Sequence, residues 1–165
     1  MELTLYSLND YLRLLEGEGL LAAPAPAGLD PDRTVELVTC NSQECVPGTL
    51  FIRKGAHFKP EYLADAGCRG AFAYVSDAPD SAAGLPCIQV NDLRRAMALL
   101  AVRYYNDPSR DLSVIGITGT KGKSSTAYYV KAILDHHLAP TGKRCGVISS
   151  IDTYDGAEEF ESHLT

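Results

Sequence analysis

Leu8, Tyr11, Leu12 and Leu15 recur at i, i+3, i+4 and i+7, the spacing that gathers apolar side chains on one face of a helix. Ser7 precedes the run and Asp10 follows three residues later, a capping-box arrangement, so a helix is expected from Leu8 to about Glu16. Short apolar or β-branched runs come next, at Val35–Val38, Leu50–Ile52, Ala71–Val75 and Ile88–Val90, each bounded by Pro, Gly, Asn or Asp. Continuous runs of this length suit buried strands. Between them, Pro60 as a first helical residue and Gly67 as a left-handed stop bracket a short helix. Asp92 is placed to cap a longer one carrying Leu93, Met97, Leu100 and Tyr104.

Asn106-Asp107-Pro108-Ser109 breaks the pattern and marks the expected domain boundary, dividing residues 1–108 from 109–165. Beyond it Val114-Ile115-Gly116-Ile117 reads as a buried strand. A helix is expected from Lys123 to about Leu138, with Ala127, Val130, Ile133, Leu134 and His137 on one side. Gly146-Val147-Ile148-Ser149 reads as the next strand, returning after a crossover long enough to be parallel. Helix and strand alternate along the whole chain, which is the α/β signature.

Composition sharpens this picture. The chain has 165 residues, 45% of them hydrophobic and 22% charged, enough apolar material for a buried core but too little length for a large multidomain enzyme. Its net charge of −6 works against non-specific binding to nucleic acid. Any polyanion must therefore be held locally. Cys40, Cys45, Cys68, Cys87 and Cys145 form no CxxC pair, so reduced thiols in a cytoplasmic protein are expected. The first 21 residues lack the basic start and apolar run of a signal peptide, and no stretch approaches the roughly 18 apolar residues of a membrane span.

The chemistry concentrates in Gly119-Thr120-Lys121-Gly122-Lys123-Ser124-Ser125, between an expected strand and an expected helix. A phosphate needs approach free of Cβ atoms, converging backbone N–H donors and the positive end of a helix dipole, and this position offers all three. Lys123 is placed for the β- and γ-phosphates of ATP, and the Ser124 hydroxyl for Mg²⁺. The general pattern GxxxxGK[ST] would place Gly at 117, where the chain has Ile117.

The run Ile115 to Thr126 resembles the nucleotide loop of the Mur ligase superfamily, ATP-dependent amide-forming enzymes with a shortened GTxGK[ST] loop after a strand ending in Thr, here Thr118. Lys121 stands where that family more often has Asn. The segment from Cys40 through Cys45, Pro47-Gly48 and Phe51 to Lys54-Gly55 is similar to the UDP-binding domain of UDP-N-acetylmuramoyl-tripeptide synthetases. In that family an Asp-Ser-Arg triplet meets the UDP-sugar. Here it is Asn41-Ser42-Gln43, so Ser42 is the expected contact and two of the polar anchors are replaced. The tail Ser162 to Thr165 resembles the beginning of a substrate-binding threonine motif, with Thr165 as a substrate contact.

The resemblance implies a small α/β UDP-binding domain followed by the beginning of a parallel P-loop-type ATPase domain, as the N-terminal part of a longer ligase. It implies ATP and Mg²⁺ as cofactors, and transfer of L-lysine or meso-diaminopimelate to UDP-N-acetylmuramoyl-L-alanyl-D-glutamate through an acyl phosphate, with Lys123 catalytic. The loop's similarity to Gram-positive relatives points towards L-lysine. It implies no nucleic acid, membrane or obligate protein partner. Two alternatives stay open: another ligase of the superfamily, of the D-alanyl-D-alanine-adding or folylpolyglutamate type, or a non-catalytic nucleotide or UDP-sugar binding module. Among the remaining candidates, His57 and His163 read as hydrogen-bonders or substrate contacts, and His136 and His137 as cations suiting a helix C-terminus. The acidic residues Asp152, Asp155, Glu158, Glu159 and Glu161 read as a solvated loop.

Overall fold

A computed structural model describes residues 4–55, 58–80 and 84–161. The chain divides into two compact units, Met1–Leu112 and Ser113–Thr165.

The first unit is built on a four-stranded parallel sheet of order β3-β4-β5-β6, from Leu37–Thr39, Thr49–Ile52, Ala71–Ser76 and Cys87–Gln89. Helices cover both faces. On one side α1 (Leu8–Gly17) and α3 (Leu93–Tyr104) pack Leu8, Tyr11, Leu15, Ala96 and Leu100 against Val38, Leu50, Ile52, Ala73, Val75 and Ile88. On the other, α2 (Pro60–Cys68) sets Leu63 and Ala66 against Phe51 and Tyr74. Leu50 and Ile52 thus serve one core and Phe51 the other, the alternation of a strand buried on both faces.

Local signals place the helix starts. Ser7 donates to Asp10 Oδ2 from its backbone N–H at 3.0 Å and from its hydroxyl at 2.8 Å, and the Asp92 carboxylate accepts the Arg95 N–H at 3.0 Å. At the breaker, Asn106 and Asp107 adopt φ of 59° and 51°. These residue types tolerate the left-handed region, which lets the chain turn sharply.

Two expectations for this unit are corrected. The run Val35–Val38 is not one strand: β2 (Thr34–Val35) pairs antiparallel with β1 (Tyr6–Ser7), and β3 pairs with β4. Between them the Glu36 N–H leaves for the Gly48 carbonyl, 3.0 Å away. Gly67 does not stop α2, which continues to Cys68; the left-handed residue is Gly70, at φ +105°. Gly67 instead answers a close approach, because a Cβ there would lie 3.3 Å from Leu85 Cδ1.

In the second unit α4 (Lys123–Leu138) accompanies a three-stranded antiparallel sheet of β7 (Val147–Ile148), β8 (Asp152–Tyr154) and β9 (Glu159–Glu161). The Tyr128 hydroxyl donates to the Asp152 carboxylate, Lys131 Nζ sits 4.4 Å from the centre of the Tyr154 ring, and Asp135 Oδ1 accepts the Cys145 N–H at 2.8 Å. Polar contacts therefore supply much of this packing.

Here the sequence expectations fail in four places. Residues 113–119 form no strand, and Val114 and Ile115 are 76% and 59% exposed. The stretch finds no ladder partner among the described residues, so its apolar side chains stay in water. α4 has no fully buried residue: of the expected core face Ala127, Val130 and Leu134 are half-buried, while His137 is exposed and Ile133 is 69% exposed, so the face is only partly covered. β7 does not return parallel but turns directly into an antiparallel hairpin with β8. The acidic run is not a loop: Asp152 and Glu159 lie in paired strands, and Asp155 Oδ1 accepts the N–H groups of Ala157 and Glu158, both at 2.8 Å, to form the turn between them.

Candidate functional site

Gly119, Thr120, Lys121, Gly122, Lys123, Ser124 and Ser125 run from the extended segment into the first turn of α4. Gly122 is the N-cap at φ +75° and Gly119 sits at φ +152°. An added Cβ on Gly122 would meet no heavy atom within 4 Å, so its backbone conformation, not crowding, calls for glycine there. The Thr126 N–H makes the first helical bond to the Gly122 carbonyl, 2.9 Å away. No side chain caps the terminus and its first turn holds no acid. The N–H groups of Lys123, Ser124 and Ser125 are thus left over at the positive end of the helix dipole.

Lys123 folds back over this loop. Its Nζ donates to the Gly119 carbonyl at 2.7 Å, closing the turn from inside while the ammonium keeps two further N–H donors. Ser124 is partly buried beside it, whereas Thr120, Lys121 and Ser125 are exposed. Uncapped amides, a held ammonium and an adjacent hydroxyl suit a nucleotide phosphate together with its Mg²⁺. Among the described residues no group of three or more His, Cys, Asp or Glu side chains is placed to hold a metal. A concavity of about 360 Å³ lies at the other end of α4, lined by Asp135, Ala139, Gly142, Lys143, Arg144 and Tyr154. Its carboxylate is already engaged, since Asp135 bonds Lys131 at 2.5 Å as well as the Cys145 N–H.

Ser42 belongs to the other unit. It opens a 3₁₀ turn, Ser42–Glu44, in the short connection from β3 to β4 at the carboxyl edge of the parallel sheet. The Asn41 side chain accepts the Gln43 N–H at 3.1 Å and donates to Glu44 Oε1 at 3.0 Å, while the Thr39 hydroxyl donates to Glu44 Oε2 at 2.7 Å. The Asn41 side chain is therefore used to shape the loop, to which Gln43 contributes its backbone N–H. Ser42 is buried. Arg69 first, and then the Ser42 hydroxyl, hold the Asp65 carboxyl below its ordinary range. A serine hydroxyl beside a carboxylate still has lone pairs with which to accept from a ligand.

The sign for pH follows from that depression. Asp65 contributes at pH above its unfolded value of 3.8, and the contribution is lost as pH falls through the lower folded value. A carbon-detected NMR titration is expected to place the Asp65 midpoint below 3.8. A midpoint at or above it would refute this environment for Ser42.

Thr165, His57 and His163 lie outside the described residues. Arg53 was not among the sequence candidates, yet it follows β4 directly at the same carboxyl edge as the Ser42 turn. The one available signal was the cationic pair Arg53-Lys54 immediately after the apolar run Leu50-Phe51-Ile52. The five cysteines are free; Cys45 is buried, and desolvation raises its thiol pKa and that of Cys87, which disfavours the thiolate at both.

No protein-family model matches the chain. Curated relatives do. A UDP-N-acetylmuramyl-tripeptide synthetase of Bifidobacterium longum is 37% identical over 174 aligned positions, covering 100% of this chain and 33% of the relative. Another, of Limosilactobacillus reuteri, is 42% identical over 139, covering 81% and 26%. A UDP-N-acetylmuramoyl-L-alanyl-D-glutamate--L-lysine ligase of Streptococcus agalactiae serotype V is 38% identical over 133, covering 80% and 26%. The chain thus spans about a third or less of the relatives' length. Among solved structures, MurF from Acinetobacter baumannii matches 82% of the chain and 29% of its own with a TM-score of 0.58 at 21% identity. A UDP-N-acetylmuramoyl-L-alanyl-D-glutamate--2,6-diaminopimelate ligase matches 98% and 31% with a TM-score of 0.60 at 16% identity. These two likenesses concern the fold. Together with the sequence relatives, they show that the chain belongs to the Mur ligase family.

Proposed function

We propose that this chain is part of an ATP-dependent ligase that joins a diamino acid, L-lysine or meso-diaminopimelate, to UDP-N-acetylmuramoyl-L-alanyl-D-glutamate in peptidoglycan precursor synthesis. The observation that carries the reading is the uncapped amino end of α4, closed by Lys123, in a chain whose relatives bear the names above.

A carboxylate is a poor electrophile because oxide would have to leave. Converting it to an acyl phosphate with ATP supplies a good leaving group, and the amine of the diamino acid can then displace phosphate to form the amide. The protein's share in such phosphoryl transfer is positioning and charge neutralisation. The free amides of Lys123, Ser124 and Ser125 orient the phosphate chain, and the Lys123 ammonium meets the charge that builds on it. Ser124 is the residue that would hold Mg²⁺, which supplies further neutralisation when bound. Ser42, and Thr165 beyond the described residues, are assigned to the UDP-sugar substrate, with residues 1–108 as its binding domain and 109–165 as the opening of the ATP-binding domain. Among the described residues no helix is long and apolar enough to cross a membrane. The cytoplasm is the proposed place of the reaction because the proposed substrates are water-soluble.

The test is a nitrogen-15 NMR titration of the chain with a non-hydrolysable ATP analogue and Mg²⁺. The amides of residues 119–125 are expected to shift together; shifts confined to other residues would overturn the reading. Turnover of a full-length ligase bearing this sequence, assayed with lysine and with meso-diaminopimelate, identifies the added amino acid.

A further inference from the structure

Arg53 is the first residue beyond β4, an inner strand of the parallel sheet. Ligands of open parallel sheets bind outside this carboxyl edge, in the crevice between successive loops. Two contacts fix the guanidinium there. Its Nη1 donates to Ser76 Oγ at 3.4 Å, at the end of neighbouring β5, and its carbon lies 5.0 Å from the centre of the Phe58 ring. Ser76 is itself anchored, donating to the Ala78 carbonyl at 2.8 Å and accepting the Ala78 N–H at 3.1 Å.

One edge of the guanidinium is left over. Among the described residues Nε is buried without a hydrogen-bond partner, and Arg53 makes no ion pair with a carboxylate there. In a planar guanidinium, Nε–H and the nearer Nη2–H point the same way, a two-pronged donor edge that matches two oxygens of a phosphate. A buried donor without an acceptor and a partly buried cation without a counter-charge are unfavourable in the free protein, and an arriving anion relieves both. The turn at the same edge offers no cation of its own, since it reads Asn41-Ser42-Gln43-Glu44. Lys54, next along the chain, is exposed.

We propose that Arg53 grips phosphate oxygens of a nucleoside diphosphate bound to the first unit, through its Nε and Nη2 edge. This rests on the reading that this unit takes a UDP-sugar. The fork is held ready by Phe58 and Ser76, so little side-chain freedom is lost on binding.

The test is an NMR titration of the 165-residue chain with uridine, UMP and UDP, following the Arg53 Nε–H resonance. UDP is expected to move that resonance and to bind at least about tenfold more tightly than uridine, as a charge-assisted bidentate contact allows. In Arg53→Met the advantage of UDP is expected to fall below about threefold, while Arg53→Lys, which keeps charge and stem but loses the fork, retains an intermediate share. An Arg53 Nε–H unmoved at saturating UDP overturns the proposal, as does an undiminished UDP advantage in Arg53→Met. Equal binding of uridine and UDP to the unsubstituted chain overturns it but leaves the UDP-sugar reading standing; absence of binding by all three sinks both. Should Arg53→Met lose its amide dispersion, Arg53→Lys and the resonance of the unsubstituted chain decide the matter.

Discussion

Lys123→Ala, placed in a full-length ligase bearing this sequence, is expected to lower ATP-dependent amide formation by about 10²–10³-fold, the usual loss when one preorganised charge-stabilising group is removed. The fold should be unaffected, because Lys123 is exposed and its one hydrogen bond stays within its own loop, to the Gly119 carbonyl at 2.7 Å. Truncation removes both the ammonium and the tie that closes the turn. Lys123→Arg tests which matters more: a fork-shaped cation keeps the charge but not the compact ammonium that bonds the Gly119 carbonyl, so it should recover only part of the rate. Equal kcat/KM for Lys123→Ala and the parent, with unchanged circular dichroism, would contradict a phosphate role for this loop.

Gly70→Ala should be the most damaging single methyl group in the first unit. Gly70 sits at φ +105°, and a Cβ there would lie 2.7 Å from Pro47 Cα and 2.8 Å from Pro47 N. Those atoms are backbone, held by the Gly48 N–H that donates to the Gly70 carbonyl at 3.2 Å. A strained φ costs about 1–3 kcal/mol and overpacking a similar amount. A loss of roughly 3 kcal/mol or more is therefore expected in urea unfolding. Gly67→Ala is the matched control. It lies inside α2, meets only the Leu85 side chain at 3.3 Å, and gains helix propensity of about 1 kcal/mol, so it should be close to neutral. Similar unfolding midpoints for the two variants would show that the contact between Gly70 and Pro47 is not rigid.

The phosphate loop was legible because every part of it is local. Two glycines, the lysine and the hydroxyls lie within seven residues, and the helix they open needs only its own sequence to begin. Ser42 was legible as a position but not as an environment. Nothing in Asn41-Ser42-Gln43 announces that Asp65, from a later helix, stands beside its hydroxyl. Arg53 was missed for the same reason: its interest lies in Ser76 and Phe58, which contact it, and in its having no carboxylate partner among the described residues. The second unit misled the reading most. Val114–Ile117 and the apolar side of α4 carry the composition of buried elements, but burial needs partners, and the described residues supply few.

By itself the sequence determined where α1, α3 and α4 begin, that β4 is buried along its length and β5 nearly so, and where the glycine-rich loop proposed to hold a phosphate lies. Caps, glycines and hydrophobic periodicity act over three or four residues, so they can be read without a fold. Tertiary structure alone decided that the chain breaks at Glu36 into strands serving different partners, that Gly70 rather than Gly67 must be left-handed, that β7 turns back antiparallel, and that Arg53 Nε is buried without a hydrogen-bond partner among the described residues. Each of these depends on atoms brought together from distant parts of the chain, and hydrogen-bond partnership and steric contact at that range leave no trace in local pattern.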